Sequence, residues 1–269
     1  MLNGTDRLRW GLAEERIADG CFETMRAYAG RIFRIEAHLE RLYASARSLG
    51  IRMPVDPRGL RRQLTEALKA SGRREATVRI ALMPRGRLIA CASIAIRRVA
   101  VPTASAYRRG IRVVTVPTRK CAIGAINPQV KYSARLGSVL AVIDAQLRGA
   151  DEALFMDGAG FVTESTASNI GVVRDGKILT PPCSLGLLAG ITRDVLFELA
   201  EVLRCEIREM PLTRHELYNA EEAFLSSTIK EVLPVSSIDG RRIGTGRPGA
   251  VTRRLQRAFR RLVEREMPR

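Results

Sequence analysis

Three strand-patterned segments, "TVRIALMP" (77–84), "RLIACASIAI" (87–96) and "IRVVTVPT" (111–118), follow one another with no long helical repeat between them. That succession constrains the fold most. Strands joined without a long crossover helix pair antiparallel, and the first unit should therefore carry an antiparallel sheet. Ahead of them, "CFETMRAYAGRIFRI" (21–35) reads as two short strands around the turn Ala29-Gly30. "EAHLERLYASARSLGI" repeats Leu39, Leu42, Tyr43, Ala46 and Leu49 at helical spacing and stops at Gly50. "PRGLRRQLTEALKASG" is a second helix, closed by Gly72. Residues 1–116 are thus expected to form a small α+β domain.

Residues 117–130 hold two prolines and a glycine and read as the interdomain linker. After it, "RLGSVLAVIDAQLRG" places Leu136, Val139, Leu140, Ile143 and Leu147 on one helical face, with Gly149 as the stop. "EALFMDGAGFVTES" and "IGVVRDGKILT" read as hairpins, the second with an Asp-Gly turn. A helix opens at Gly190, "EIREMPL" is a strand, and Thr213 with Glu216 forms a capping box. "AFLSSTIKEVLPV" runs from strand through a small polar loop into strand. Residues 131–269 should form a larger domain, a barrel-like mixed sheet with helices outside. The fold class expected is α+β in two domains.

A net charge of +17 raises the question of nucleic acid. The arginines are dispersed, however, and only "VTRRLQRAFRRLVEREMPR" is densely basic, without a recognition motif or interleaved aromatics. Anionic small substrates suit the charge equally well, and no nucleic-acid partner is expected. No run approaches ~18 apolar residues and no apolar leader opens the chain, so neither membrane insertion nor secretion is expected and the location expected is cytoplasmic. Five cysteines without a CxxC pair read as reduced thiols. There is no HxxxH and no Ser/His/Asp arrangement, and no metal is expected.

Only five of the 45 basic residues are lysine. Where lysine survives such a bias toward arginine, the position can require an amine able to lose its proton. Lys131 precedes a strongly apolar helix, whereas Lys69 lies in a helix, Lys120 in the linker, Lys177 at a turn and Lys230 beside a strand. A partly desolvated Lys131 could form a Schiff base; otherwise it is a solvated loop lysine. Glu164 in "FVTESTASN" could pair with a protonated ring nitrogen, or be an edge carboxylate satisfied by Thr163 or Ser165. The helix start at Gly190-Ile191-Thr192 offers free N–H groups to a phosphate, and Ser226-Ser227-Thr228 offers hydroxyls. Arg41 sits in the helical "HLERL".

The order of these elements, from Phe22-Glu23-Thr24 through "HLERL", Lys131, Glu164 and "GIT" to "SST", resembles the class IV (fold type IV) pyridoxal-phosphate aminotransferases. These include branched-chain and D-amino acid aminotransferases and aminodeoxychorismate lyases. The resemblance covers nearly the whole chain and is densest in "GADEALFMDGAGFVTESTASN", "TPPCSLGLLAGITR" and "EVLPVSSIDGRRIGTGRPGAVT". It implies pyridoxal 5'-phosphate as cofactor, with Lys131 as Schiff-base lysine and proton shuttle and Glu164 on the pyridine nitrogen. It places Arg41, Ile191, Thr192 and Thr228 on the phosphate and Leu188 against the ring. Phe22, Arg79 and Ile229 fall on the substrate side.

The implied reaction is ping-pong transfer from a branched-chain-like L-amino acid to 2-oxoglutarate, with amino and keto acids as small-molecule partners and a homodimer as assembly. Lyase chemistry ranks second and D-amino acid transfer third. Branched-chain enzymes commonly carry an Asn-Tyr pair where this chain has Arg135-Leu136, and an aromatic where it has Ile17-Ala18-Asp19. "KYSARL" is close to the lyase pattern, except that Ala134 replaces its asparagine.

Overall fold

The computed structural model describes residues 20–85, 89–121, 124 and 126–268. Ile17-Ala18-Asp19 lies outside them.

The first sheet has the order β2-β1-β3-β4 and is antiparallel throughout. Its strands are β1 (Cys21–Tyr28), β2 (Arg31–Ile32), β3 (Ala76–Arg85) and β4 (Ile89–Arg97). Ala29 and Gly30 both take positive φ (50° and 81°), so the expected turn forms. Helices α1 (Ile35–Ser48) and α2 (Pro57–Ala70) cover one face. Asp56 caps α2 by accepting from Gly59 N–H at 2.7 Å, with Pro57 in the first turn. Leu39, Leu42, Leu60, Leu64 and Leu68 pack there on Met25, Val78, Ile80 and Leu82.

β1 is buried along its whole length apart from half-buried Thr24. Cys21, Met25 and Ala27 face the helices, while Tyr28 joins a second core with Phe33, Val195, Phe224 and Phe259. Covered on both faces, β1 is the seam between the two sheets.

The second sheet has nine strands. They are β5 (Ile111–Arg119), β6 (Glu152–Met156), β7 (Val162–Ser165), β8 (Asn169–Arg174), β9 (Lys177–Thr180), β10 (Ile207–Glu209), β11 (Glu222–Ser227), β12 (Glu231–Ile238) and β13 (Arg241–Arg242). Six of them, β8-β11-β12-β5-β6-β7, close into a barrel where Glu164 pairs with Asn169. The β8–β9 hairpin turns on Asp175-Gly176, both at positive φ, as the Asp-Gly signal anticipated. The capping box forms at the start of α6 (Arg214–Tyr218). Outside the barrel lie α5 (Ile191–Val202) and α7 (Ala250–Glu266), which share the core around Phe224 and Phe259. Among the described residues no helix is long and apolar enough to cross a membrane.

One expectation is corrected. Residues 111–118 do not complete the small sheet; β5 runs between β12 and β6, parallel to both. The stretch 98–110, with α3 (Ala104–Arg109), is long enough for a crossover, and Val113, Val114, Thr115 and Val116 are all buried, as a two-sided barrel strand requires. The chain therefore passes between the sheets at 98–110.

Helix α4 (Leu136–Leu147) is also unusual. Its buried residues are Ala141 and Ala145, against β5 and β6, while Leu136 and Leu147 are 72% and 82% exposed. The apolar face read from the sequence points outward.

Gly171 of β8 stands opposite Phe224 of β11, and a Cβ there would lie 2.5 Å from the ring. Phe224 is fully buried and cannot retreat. Gly171→Ala should lower stability by about 1–3 kcal/mol through overpacking, read as a lower urea midpoint at unchanged slope.

Candidate active site

A cavity of about 270 Å³ opens where β1, α1, the segment leading to α4, the β7–β8 corner, the 186–192 segment and the β11–β12 turn converge. Phe22, Arg41, Lys131, Glu164, Leu188, Ile191, Thr192 and Thr228 all line it. Of the other two sequence candidates, Arg79 lays its guanidinium 3.8 Å from the Phe22 ring centre, and Ile229 follows Thr228 in the turn.

Lys131 is positioned by β1. Phe22 N–H donates to the Lys131 carbonyl at 3.1 Å, and Ser133 N–H donates to the Gly20 carbonyl at 2.7 Å. The amine sits 5.2 Å from the Phe22 ring centre. Burial, reinforced by the Arg41 charge, pushes its pKa down to about 8 against the opposing pull of Glu23.

Arg41 ties three elements together. Its Nε and Nη2 donate to Glu23 at 2.6 and 2.9 Å, and Nη1 donates to the Ala189 carbonyl at 2.6 Å. His38, one turn earlier, meets the same carboxylate through Nδ1 at 2.8 Å. Burial alone would raise the Glu23 pKa, but the hydrogen bonds from His38 and Arg41 outweigh it and hold the group at about 2. Burial keeps the His38 pKa low, so the imidazole is neutral beside an ionised Glu23.

Glu164 stands where the barrel closes. It accepts from Leu188 N–H at 3.2 Å and pairs with Lys120 Nζ at 2.5 Å. Neither Thr163 nor Ser165 satisfies it: the Thr163 hydroxyl donates to the Phe155 carbonyl, and the Ser165 hydroxyl is buried without a partner among the described residues. Lys120, read as a linker lysine, is therefore part of the site; its one sequence signal was the scarcity of lysine. Gln129 was also missed. It donates to the Leu187 carbonyl and accepts from Ala189 N–H, which fixes the backbone around Leu188.

At the opposite end, α5 starts at Gly190 with no side-chain cap, so its first-turn N–H groups and positive dipole end are available. A Cβ on Gly190 would overlap Asn169 Oδ1, so only glycine lets the helix start approach the barrel so closely. The buried hydroxyls of Ser165 and Ser168 also line the cavity and lack partners among the described residues. With Arg41, Arg119, Lys120, Lys131 and Arg135 on its walls, the cavity suits an anionic ligand that accepts several hydrogen bonds.

Residues 20–238 match the family model of amino-transferase class IV. This chain belongs to the class IV aminotransferases. A Methanocaldococcus jannaschii protein provisionally named a branched-chain-amino-acid aminotransferase is 39% identical over 251 residues, 90% of this chain and 86% of that protein. A Bacillus licheniformis D-alanine aminotransferase is 32% identical, covering 91% and 87%. The branched-chain amino acid aminotransferase of Thermobaculum terrenum, solved in its PLP-form, superposes with a TM-score of 0.86 at 28% identity, covering 92% and 86%. Class IV aminotransferases are pyridoxal-phosphate enzymes, and the cavity of this family member fits that group. A low-pKa amine, a carboxylate, an arginine, an uncapped helix start and two unpartnered hydroxyls are the donors and acceptors such a cofactor uses.

The Lys131 amine should lose its proton near pH 8 in the folded apoprotein. Competitive labelling with an amine reagent should give a midpoint there rather than at the about 10.4 of a free lysine. Arg41→Met removes a neighbouring positive charge, favours the protonated amine and should move the midpoint upward.

Proposed function

We propose that this class IV aminotransferase uses pyridoxal 5'-phosphate to move the amino group of a branched-chain-like L-amino acid to 2-oxoglutarate. The observation that carries the reading is the meeting of the Lys131 amine, the Glu164 carboxylate and the Arg41 guanidinium around one cavity. Bound there, the cofactor supplies an electron-withdrawing ring. Lys131, with its proton already loosened by burial, would hold the cofactor through its aldehyde carbon and, once displaced there by the incoming substrate amine, would be free to carry the proton between the substrate Cα and that carbon. Glu164 keeps the ring nitrogen protonated, with Lys120 and Leu188 N–H steadying the carboxylate. Arg41, Thr228 and the start of α5 hold the phosphate. Leu188 packs on the ring, and Phe22, Arg79 and Ile229 border the substrate. The match to branched-chain relatives supports the donor class.

The loaded protein should form glutamate from L-leucine and 2-oxoglutarate, and Lys131→Ala should reduce the rate by about 10²–10⁴-fold or more. Pyruvate release from aminodeoxychorismate without glutamate formation would replace this reading with the lyase. D-alanine as the preferred donor would replace it with the D-amino acid enzyme, which the Bacillus relative keeps in contention.

The assembly proposed is a homodimer. The outward face of α4 carries Leu136, Val139, Leu140, Ile143 and Leu147, an unusual apolar stripe for a surface open to water. Sedimentation should give twice the 29.7 kDa chain mass, and the double substitution Leu140→Glu with Ile143→Glu should halve it.

A further inference from the structure

We propose that Glu231, gripped by Arg26 and Tyr28 of β1, is a positioning residue that holds the Thr228-Ile229-Lys230 turn in the shape that presents Thr228 to the cavity. The proposal rests on the reading that Thr228 takes a phosphate.

Strands β11 and β12 pair up to Ser227 and Glu231, leaving three residues in the turn. Three-residue hairpin turns commonly end on a residue in the left-handed region, where glycine is the natural occupant. Here the last turn residue, Lys230, is not in that region; the left-handed residue is the one after it, Glu231, the first of β12, at φ 54°. Glycine would adopt this conformation without strain and glutamate does not. The side chain must therefore contribute something that glycine lacks.

Its contacts indicate what. Glu231 Oε1 accepts from Arg26 Nη1 at 2.8 Å and from the Tyr28 hydroxyl at 2.9 Å. The same Nη1 donates to the Ile229 carbonyl at 3.1 Å, and the Arg26 guanidinium stacks 4.3 Å from the Tyr28 ring centre. Within the hairpin Lys230 N–H donates to Ser227 Oγ at 3.3 Å, and Arg260 Nε of α7 lies 4.0 Å from Glu231 Oε2; the remaining ties come from other elements. Tyr107 of α3 donates to the Lys230 carbonyl at 2.9 Å, and Lys230 Nζ pairs with the buried Glu152 of β6. Apart from Ser227, none of these groups lines the cavity, whereas Thr228 does. Most of the turn's ties therefore lie away from the cavity that Thr228 faces. A turn fixed in advance spares a ligand the entropy of ordering it, so strain at Glu231 is exchanged for a ready-made contact.

The test compares two probes, pyridoxal 5'-phosphate and pyridoxal, titrated by visible absorbance into the apoprotein. The ratio of their dissociation constants reads the phosphate's share of binding. Glu231→Gly should lower that ratio about tenfold while changing pyridoxal affinity less than about twofold, since the loss is confined to the phosphate end. Glu231→Gln keeps the acceptor oxygen and should restore most of the ratio. Tyr28→Phe deletes one donor at constant shape and should lower the ratio by about threefold, which keeps the test open if the glycine variant folds poorly. A large wild-type ratio that persists in both Glu231→Gly and Tyr28→Phe overturns the proposal alone. So does equal weakening of both probes, the mark of a general disturbance. A wild-type ratio near one overturns the phosphate reading and the proposal together.

Discussion

The hydrogen bond from Phe22 N–H to the Lys131 carbonyl is the contact on which the site turns. It fastens the irregular approach to α4 onto β1, a strand buried on both faces. Along that strand the duties alternate with the pleat. Phe22 bounds the cavity, Glu23 holds Arg41, and Arg26 and Tyr28 reach the β11–β12 turn. Residues more than 200 positions apart in the chain thus take their places from one rigid backbone. Rigidity follows from burial: β1 cannot shift without opening the helix-covered core on one side and the Phe224–Phe259 core on the other.

Charge is the second constraint. Five cationic side chains line the cavity against Glu164, and their mutual repulsion is relieved in different ways. Arg41 is neutralised by Glu23 and Lys120 by Glu164. Lys131 has no carboxylate in hydrogen-bond contact among the described residues, and burial with the Arg41 charge pushes its pKa down to about 8. Arg119 and Arg135 donate to backbone carbonyls instead, so Lys131 is left in a positive field that favours its unprotonated form. Arginine could not take the role proposed for Lys131, because guanidinium does not lose its proton in this range.

Much of this was legible in the sequence because it is local. The Ala29-Gly30 and Asp175-Gly176 turns, the capping box at Thr213 and the glycine stops follow from backbone preferences within a few residues. The β5 partnership was not legible, since period-2 apolarity shows that a strand is buried but not which sheet buries it. Glu23, Gln129 and Lys120 were likewise hidden: each acts on a partner 18 to 60 positions away, and ordinary polar residues carry no spacing that announces such a bond. Their recovery needs the topology. Glu164 and Asn169 become cavity neighbours only because β7 and β8 close the barrel there.

Helix α4 shows the same limit from the other direction. Its apolar stripe was read correctly as a stripe, yet periodicity does not say whether a face turns toward the chain's own core or away from it. Ala141 and Ala145 settle the matter physically: small side chains let the helix sit close on β5 and β6, so the large residues must point outward. That choice links surface to chemistry. The helix begins five residues after Lys131, and Gly137 and Ser138 of its first turn line the cavity. Anything that packs on the Leu140–Ile143 face rests on the helix whose first turn forms part of the cavity wall.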